Sequence, residues 1–366
     1  MNPYRSRRSV LNALQHKPSD RIPFTPPFKE WLDEGTVRGM PDDMRECYLH
    51  GDFHTVRFRV DQERNRSRFS SLFPAGIPGN GIVSDWGFVD IPQRTDAGYH
   101  AGNKTLHTLA DAASLADIES YPWPDMAEPD RHAHINDEVA EKKRDEFVVI
   151  GQMSQTFLET AYLMRGMENL FCDFYANPDI VGGIFKRLRP ERIFQAETFA
   201  RAGVDVLRIG DDIASQTGLI VGKDIYREFI KPYQREVIRA ARAIHPDIIV
   251  LYHSDGLLEP LFDDLIEIGV NAVNPVQPEC MDLREIKKSY GDRLVLWGCM
   301  AVQSTFEFGT DEYILRDIRL VKEISQDGGI CIDFINMVPT ANVRRNLVSF
   351  AKHFYPLSRA AFAQAH

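Results

Sequence analysis

From about residue 147 onward the chain repeats one pattern. A short apolar run is followed by a longer segment with helical spacing, and the pair recurs six times. The apolar runs are 147–151, 204–209, 248–252, 272–275, 294–297 and 330–334. The helical segments are 155–170 with 179–202, then 223–244, 259–268, 283–290, 312–325 and 342–353. Such alternation predicts parallel strands, because parallel neighbours need a crossover connection and a helix supplies it. Gly203, Gly269 and Gly291 each separate a helical segment from the next run. Glycine is expected there, after a helix C-cap.

Extended segments near residues 22 and 55 bring the strand count to about eight. The predicted fold is therefore α/β, a (β/α)8 barrel. A doubly wound sheet is the competing arrangement, but no Gly-x-Gly-x-x-Gly follows any strand. Residues 5–17 have helical spacing, with Val10, Leu11 and Leu14 on one face, and stop at Pro18. Residues 60–130 break the pattern; they are loop-rich, with Gly76, Pro78, Gly79 and Gly81 close together. They read as an insertion or lid on a single domain covering 1–366.

Composition narrows the partners. The 366 residues are 43% hydrophobic and 26% charged, ordinary for a globular chain. The net charge is −10, which argues against nucleic acid or an anionic membrane as the main partner. No apolar run approaches the roughly 18 residues of a membrane span. The N-terminus is basic but lacks the apolar core of a signal peptide, so a cytoplasmic location is expected. A homodimer is compatible with the sequence. Cys47, Cys172, Cys280, Cys299 and Cys331 are scattered, with no Cys-x-x-Cys pair. Cys172 and Cys331 lie in apolar contexts and are expected in the core.

Barrel chemistry belongs at the C-terminal ends of the strands. One run ends in His253-Ser254-Asp255-Gly256, placing an imidazole and a carboxylate two positions apart. Both can bind a metal or act on a substrate proton. Asp211-Asp212 ends another run, with Gln216 and Thr217 after it. Asp212 is assigned to the site and Asp211 to a helix cap or a solvated loop. Asn274 and Gln277 end a third run, Asp333 and Asn336 the last, and neutral amides there position a substrate. Gln152, Glu159, Tyr162 and Arg165 belong to the first regular unit. Glu159 and Tyr162 are three apart and share a helix face. Arg165 is either a carboxylate fork or a solvated or structural Arg. His132 and His134 have metal-like spacing but sit in a polar stretch, and are set aside.

Several segments together resemble the uroporphyrinogen decarboxylase superfamily. They are Asp85-Trp-Gly, Tyr121-Pro-Trp-Pro-Asp, Gly210-Asp-Asp-Ile-Ala-Ser-Gln-Thr-Gly-Leu, Tyr226-Arg-Glu-Phe-Ile-Lys-Pro, Asn274-Pro-Val-Gln and Tyr290-Gly-Asp-Arg-Leu with Trp297-Gly. The resemblance is strongest over 148–350. It implies a (β/α)8 barrel and either of two activities. One branch removes carboxylates from a tetrapyrrole without a cofactor. The other contains zinc-dependent methyltransferases that exchange methyl groups with a corrinoid carried by a partner protein.

Departures from both patterns narrow the choice. Where the decarboxylases carry Met-Arg-Gln-Ala-Gly-Arg, this chain has Phe24-Thr-Pro-Pro-Phe-Lys-Glu-Trp. Asn336 stands where they have a His. The thiol-activating methyltransferases use His-x-Cys; here it is His253-Ser254-Asp255. Asp52-Phe-His54 begins like a corrinoid motif, but Arg57 takes its Gly position. The resemblance implies a corrinoid-linked methyltransferase that demethylates a small methoxylated or N-methylated compound. His253 and Asp255 would be the zinc ligands, with Asp212 beside them. A carboxy-lyase acting on a small carboxylic acid, with Arg165 or Arg208 holding the carboxylate, is the second reading. A non-catalytic corrinoid or tetrapyrrole binder is the third.

Overall fold

The computed structural model describes residues 6–26, 45, 51–94, 100–334 and 340–360. Its main sheet is parallel throughout and has seven strands among the described residues. They are β1 (Phe53–Val56), β2 (Val148–Gln152), β3 (Val206–Gly210), β4 (Ile249–His253), β5 (Ala272–Val276), β6 (Val295–Gly298) and β7 (Ile330–Ile332). Their spatial order is their chain order. The helices that follow them include α2 (Leu158–Arg165), α3 (Met167–Ala176), α4 (Pro178–Ala202), α5 (Lys231–Ile244), α6 (Phe262–Ile268), α7 (Leu283–Tyr290), α8 (Asp311–Ile324) and α9 (Ala341–Ala360), with α1 (Arg7–Leu14) ahead of them all.

The sheet closes on itself through residues 23–25. Thr25 N donates to Ile332 O at 2.8 Å, and Ile332 N donates to Pro23 O at 2.9 Å. On the other side Asp52 N donates to Phe24 O at 3.3 Å. The extended segment near residue 22 thus fills the eighth position as a single bridge, Phe24 to Ile332, rather than a full strand. Pro23 and Pro26 flank it and have no N–H to give a ladder, which explains the brevity.

Strand alternation divides the side chains into two sets. Val149, Leu207, Ile209, Val250, Tyr252 and Leu296 face the helices. Val148, Ile150, Val206, Ile249, Leu251, Ala272, Val295, Trp297 and Cys331 fill the barrel interior. Val10 and Leu14 of α1 join this inner cluster. Gly329 N donates to Ala13 O at 2.7 Å, fixing α1 against the barrel. The apolar face foreseen over 5–17 is therefore a plug at the N-terminal end of the strands.

Helix ends agree with the pattern. Gly203 and Gly269 are left-handed C-caps, at φ 75 and φ 104. Gly291 closes α7 at φ −69 instead, without the left-handed turn. The 60–130 insertion holds more order than its composition suggests. It carries a three-stranded antiparallel sheet of Ile82–Val83, Val89–Arg94 and His100–Leu106. Asp85 receives bonds from Arg131 at 2.7 Å and Asn65 at 3.0 Å, while the Arg192 guanidinium of α4 lies 4.3 Å over Trp86. The Asp85-Trp-Gly segment thus pins the insertion to the barrel. No helix among the described residues is long and apolar enough to cross a membrane.

Candidate active site at the barrel mouth

The inward-facing positions change character along the strands. Below, they are apolar; at the C-terminal ends the same alternation presents Gln152, Arg208, His253, Asn274 and Asp333. Register makes them neighbours: Gln152 is opposite Arg208, and Asn274 opposite His253. Polar groups in such a wall must find partners or cost several kcal/mol.

His253 is held at Nδ1. Asn274 Oδ1 lies 2.8 Å away, and Asn274 Nδ2 in turn donates to Asp333 Oδ2 at 3.2 Å. An amide oxygen only accepts, so the network assigns the imidazole proton to Nδ1 and leaves a lone pair on Nε2. Burial, then the neighbouring Arg208 guanidinium, pushes the His253 pKa down to about 3. The ring is neutral at ordinary pH, which suits a ligand and not a proton donor. Burial also lifts Asp333, to about 6.

Nε2 faces two acids. It lies 3.8 Å from Asp212 Oδ1, and ligand atoms of Asp212, His253 and Asp255 all fall within 4.8 Å of one another. The backbone ties them together, because Asp255 N donates to Asp212 Oδ1 at 2.9 Å. His253 and Asp212 side chains are 21% and 34% exposed, so solvent reaches the group. Behind it, Glu159 Oε2 accepts from Asp212 N at 3.1 Å and Oε1 accepts from Tyr162 OH at 3.2 Å. Burial, then Asp212 and Asp211, lifts Glu159 to about 8. Burial raises Asp212 as well. One imidazole and two carboxylates form a hard donor set, suited to zinc or a similar divalent cation. A cation would also relieve the repulsion among these acids.

The adjacent acids do different work. Asp211 is fully buried and accepts from Phe157 N at 2.9 Å, Glu159 N at 3.1 Å and Gln234 Nε2 at 3.1 Å. It caps the start of α2, the helix that carries Glu159 and Tyr162. Of the readings for Asp211 the cap is the one the structure has, though it serves the helix of the adjacent preceding unit rather than the next one. Gly210 precedes it at φ +142, where a Cβ would sit 2.2 Å from the His253 carbonyl oxygen. Only glycine lets β3 approach β4 this closely.

Residues 99–329, more than half of the chain, match the family model described as Uroporphyrinogen decarboxylase (URO-D). The chain belongs to the uroporphyrinogen decarboxylase family. Curated family members are distant. A uroporphyrinogen decarboxylase of Chloroherpeton thalassium is 24% identical over 302 residues, covering 79% of each chain. One of Chlorobium chlorochromatii is 29% identical over 310 residues, covering 83% of each. Among solved structures, a methyltransferase from Methanosarcina mazei has the same fold, with TM-score 0.62 and 13% identity over 97% of this chain and 98% of that one.

Within this uroporphyrinogen decarboxylase fold, the structure gathers Asp212, His253, Asp255, Glu159, Tyr162 and Asn274, as the sequence suggested. Gln152 joins the inner wall, its Nε2 bonded to Ser154 Oγ. Two expectations need correction. Arg165 is spent on Asp173 at 2.8 Å and on the carbonyls of Leu109 and Ala110, so it holds the insertion and not a substrate. Gln277 is buried, and its Oε1 accepts from Gly256 N at 2.6 Å, so it shapes the Asp255 loop. Gln216 is exposed on the 214–219 hairpin, where Cys280 Sγ donates to it at 2.7 Å. Asn336 and residues 27–31 lie outside the described residues.

Other sequence features settle too. Cys331 is buried as expected, but Cys172 is exposed on α3. The Asp52-Phe-His54 pair is structural: Asp52 pairs with Arg21, and His54 Nε2 meets Glu138 Oε1 at 2.7 Å. His132 and His134 bond the carbonyls of Ala127 and Arg57. Sequence reasoning missed Arg192, whose buried guanidinium binds the carbonyls of Gln155 and Thr156 and the Thr160 hydroxyl. It braces the turn ahead of Glu159. An Arg in the middle of a long amphipathic helix carries no signal of this.

Proposed function

We propose that this protein is a methyltransferase that removes a methyl group from a small methoxylated or N-methylated compound and delivers it to a corrinoid carried by a separate protein. The observation behind this reading is the Asp212, His253 and Asp255 group, with its Nε2 lone pair directed among carboxylates. Zinc bound by these three residues would act as a Lewis acid on the oxygen or nitrogen that loses its methyl group.

The chain's own residues do the rest. Asn274 keeps His253 in the tautomer that presents Nε2 to the mouth. Glu159 and Asp255 fix the Asp212 loop through their bonds to its backbone amide and its carboxylate. Asp211 and Arg192 hold the first turn of α2 in place. Preorganised groups of this kind stabilise charge as it develops on the leaving atom.

The test uses the purified full chain, zinc, a reduced corrinoid protein and a panel of methoxylated and N-methylated compounds. The expected result is the absorbance of a methylated corrinoid that needs zinc and His253. Carbon dioxide release without any corrinoid protein would overturn the reading and return the chain to carboxy-lyase chemistry.

A further inference from the structure

Arg208 stands out among the inward-facing polar residues, because part of its donor set lacks an acceptor. Its Nη2 reaches His253 Nδ1 at 3.0 Å, but that nitrogen already gives its proton to Asn274. Two donors cannot satisfy each other. Its Nε is buried with no hydrogen-bond partner. Among the described residues no carboxylate lies within 4.0 Å of the guanidinium, although Asp333, Asp255 and Asp212 act on it from farther away. A guanidinium with spare donors in a barrel wall is costly unless something arrives to accept from it.

A second cation adds to the first. The alternation that points Phe53 inward, against Trp297, places Arg57 on the same side just beyond β1. Arg57 is close enough to lower the Arg208 pKa, adding to the larger effect of burial. Glu138 acts on Arg57 as well, but the charge that Arg57 adds near Arg208 still favours an anion beside the pair. Arg208 is only partly buried, so an incoming group can reach it.

We propose that Arg208, with Arg57 behind it, forms a carboxylate subsite on the barrel wall, and that the substrate is a small methoxylated or N-methylated carboxylic acid. A carboxylate matches the planar fork in a way a neutral ring does not. Direct contact between Arg208 and His253 sets the scale. The acid group and the methyl-bearing atom must be bridged by something as short as one ring or a few carbons. The carboxylate is retained here; it anchors the molecule while its other end meets Asp212, His253 and Asp255. The substrate class rests on the methyl-transfer reading, but the subsite itself is read by binding alone.

Calorimetry on the full chain decides it, using para-methoxybenzoate against para-methoxybenzamide, and dimethylglycine against its amide. At least one acid should bind roughly 10- to 100-fold more tightly than its amide, the range of a charge-assisted fork. Arg208→Met, shown to be folded by circular dichroism, should abolish that preference, and Arg208→Lys should keep part of it. If the Met variant does not fold, the Lys variant and the wild-type ratios still decide. Equal affinity of acid and amide, no acid binding at about 10 mM, or a preference kept in folded Arg208→Met would each overturn the subsite. Acid preference without any methyl transfer would instead sink the proposed reaction and leave the subsite standing.

Discussion

His253 Nε2 and Asp212 Oδ1 face each other across 3.8 Å, from the ends of two adjacent strands. Nothing in the local chain brings them together; the parallel pairing of Gly210 with His253 does. The spacing suits two ligands of one ion. Purified protein equilibrated with zinc should retain one equivalent after desalting. His253→Ala and Asp212→Asn should each retain none, measured by elemental analysis. Full retention in both variants would remove this group as the metal site.

Asn274 sets the tautomer, so it should matter to a metal it does not touch. Asn274→Ala frees Nδ1 from its acceptor and lets the proton move to Nε2. Zinc affinity should fall roughly 10- to 100-fold, the usual effect of losing a partner behind a ligand. Competition against a chromophoric chelator measures it, and unchanged affinity would refute the assigned tautomer.

Gly210→Ala places a methyl group 2.2 Å from the His253 carbonyl oxygen, which is backbone and cannot swing aside. Strands β3 and β4 must part or the loop must shift. The expected cost is about 3 kcal/mol or more in denaturant unfolding. A loss under about 0.5 kcal/mol, the scale of a neutral surface change, would contradict the close approach.

Asp211→Ala removes an acceptor used by two backbone amides and one side-chain amide. Burial already makes the ionised carboxylate unfavourable there, which offsets part of the loss. The hydrogen bonds win, because Asp211 accepts from both of these amides at the start of α2. We expect about 2–3 kcal/mol of destabilisation for Ala. Asp211→Asn keeps an acceptor and sheds the charge, so it should cost less. Equal losses in the two variants would show that charge, not capping, is what Asp211 contributes.

Stability should fall as pH rises from 6.5 to 8. Glu159 has a folded pKa of about 8 against an ordinary value of 4.5, so the folded chain holds a proton that the unfolded chain has released. By linkage its contribution is complete below the unfolded value and lost as pH climbs through the folded one. His253, lowered from 6.5 to about 3, works in the opposite direction, but only below its ordinary value. Asp333, at about 6, is mostly finished by then. Above 6.5 Glu159 therefore sets the slope among these three. Glu159→Gln should flatten the pH dependence of melting temperature over that range, with chelator present. Parallel curves for the two proteins would disprove the raised pKa.

The barrel was legible in the sequence because its signal is repetitive: six apolar runs, each followed by a helix, leave few topologies. The closing segment at Phe24 was harder, because a single bridge flanked by prolines has no strand pattern to show. Within the site, residues at strand ends were predictable by place, and His253, Asp255, Asp212 and Asn274 fell where expected. What the sequence could not reveal was who already had a partner. Arg165 looked like a substrate fork until Asp173 and two insertion carbonyls were found on it. Gln277 looked like a substrate amide but holds Gly256. Arg208, the other arginine named as a carboxylate holder, is the reverse case, with a buried Nε that has no partner. Partnership is a property of neighbours distant in the chain, and no local pattern encodes it.

Among the described residues, helix α1 fills one end of the barrel. With Val10 and Leu14 packed among the inward apolar side chains, the described residues leave the strand C-termini as the approach to His253. In the proposed reaction, a small molecule and a bulky protein-borne acceptor could not use that opening in arbitrary order. The small molecule must enter first, because a docked macromolecule would cover the way in. Its product must wait until that partner leaves. The N-terminal plug thus imposes a compulsory sequence of arrivals on any reaction with two such participants, and steady-state kinetics should read as ordered rather than random.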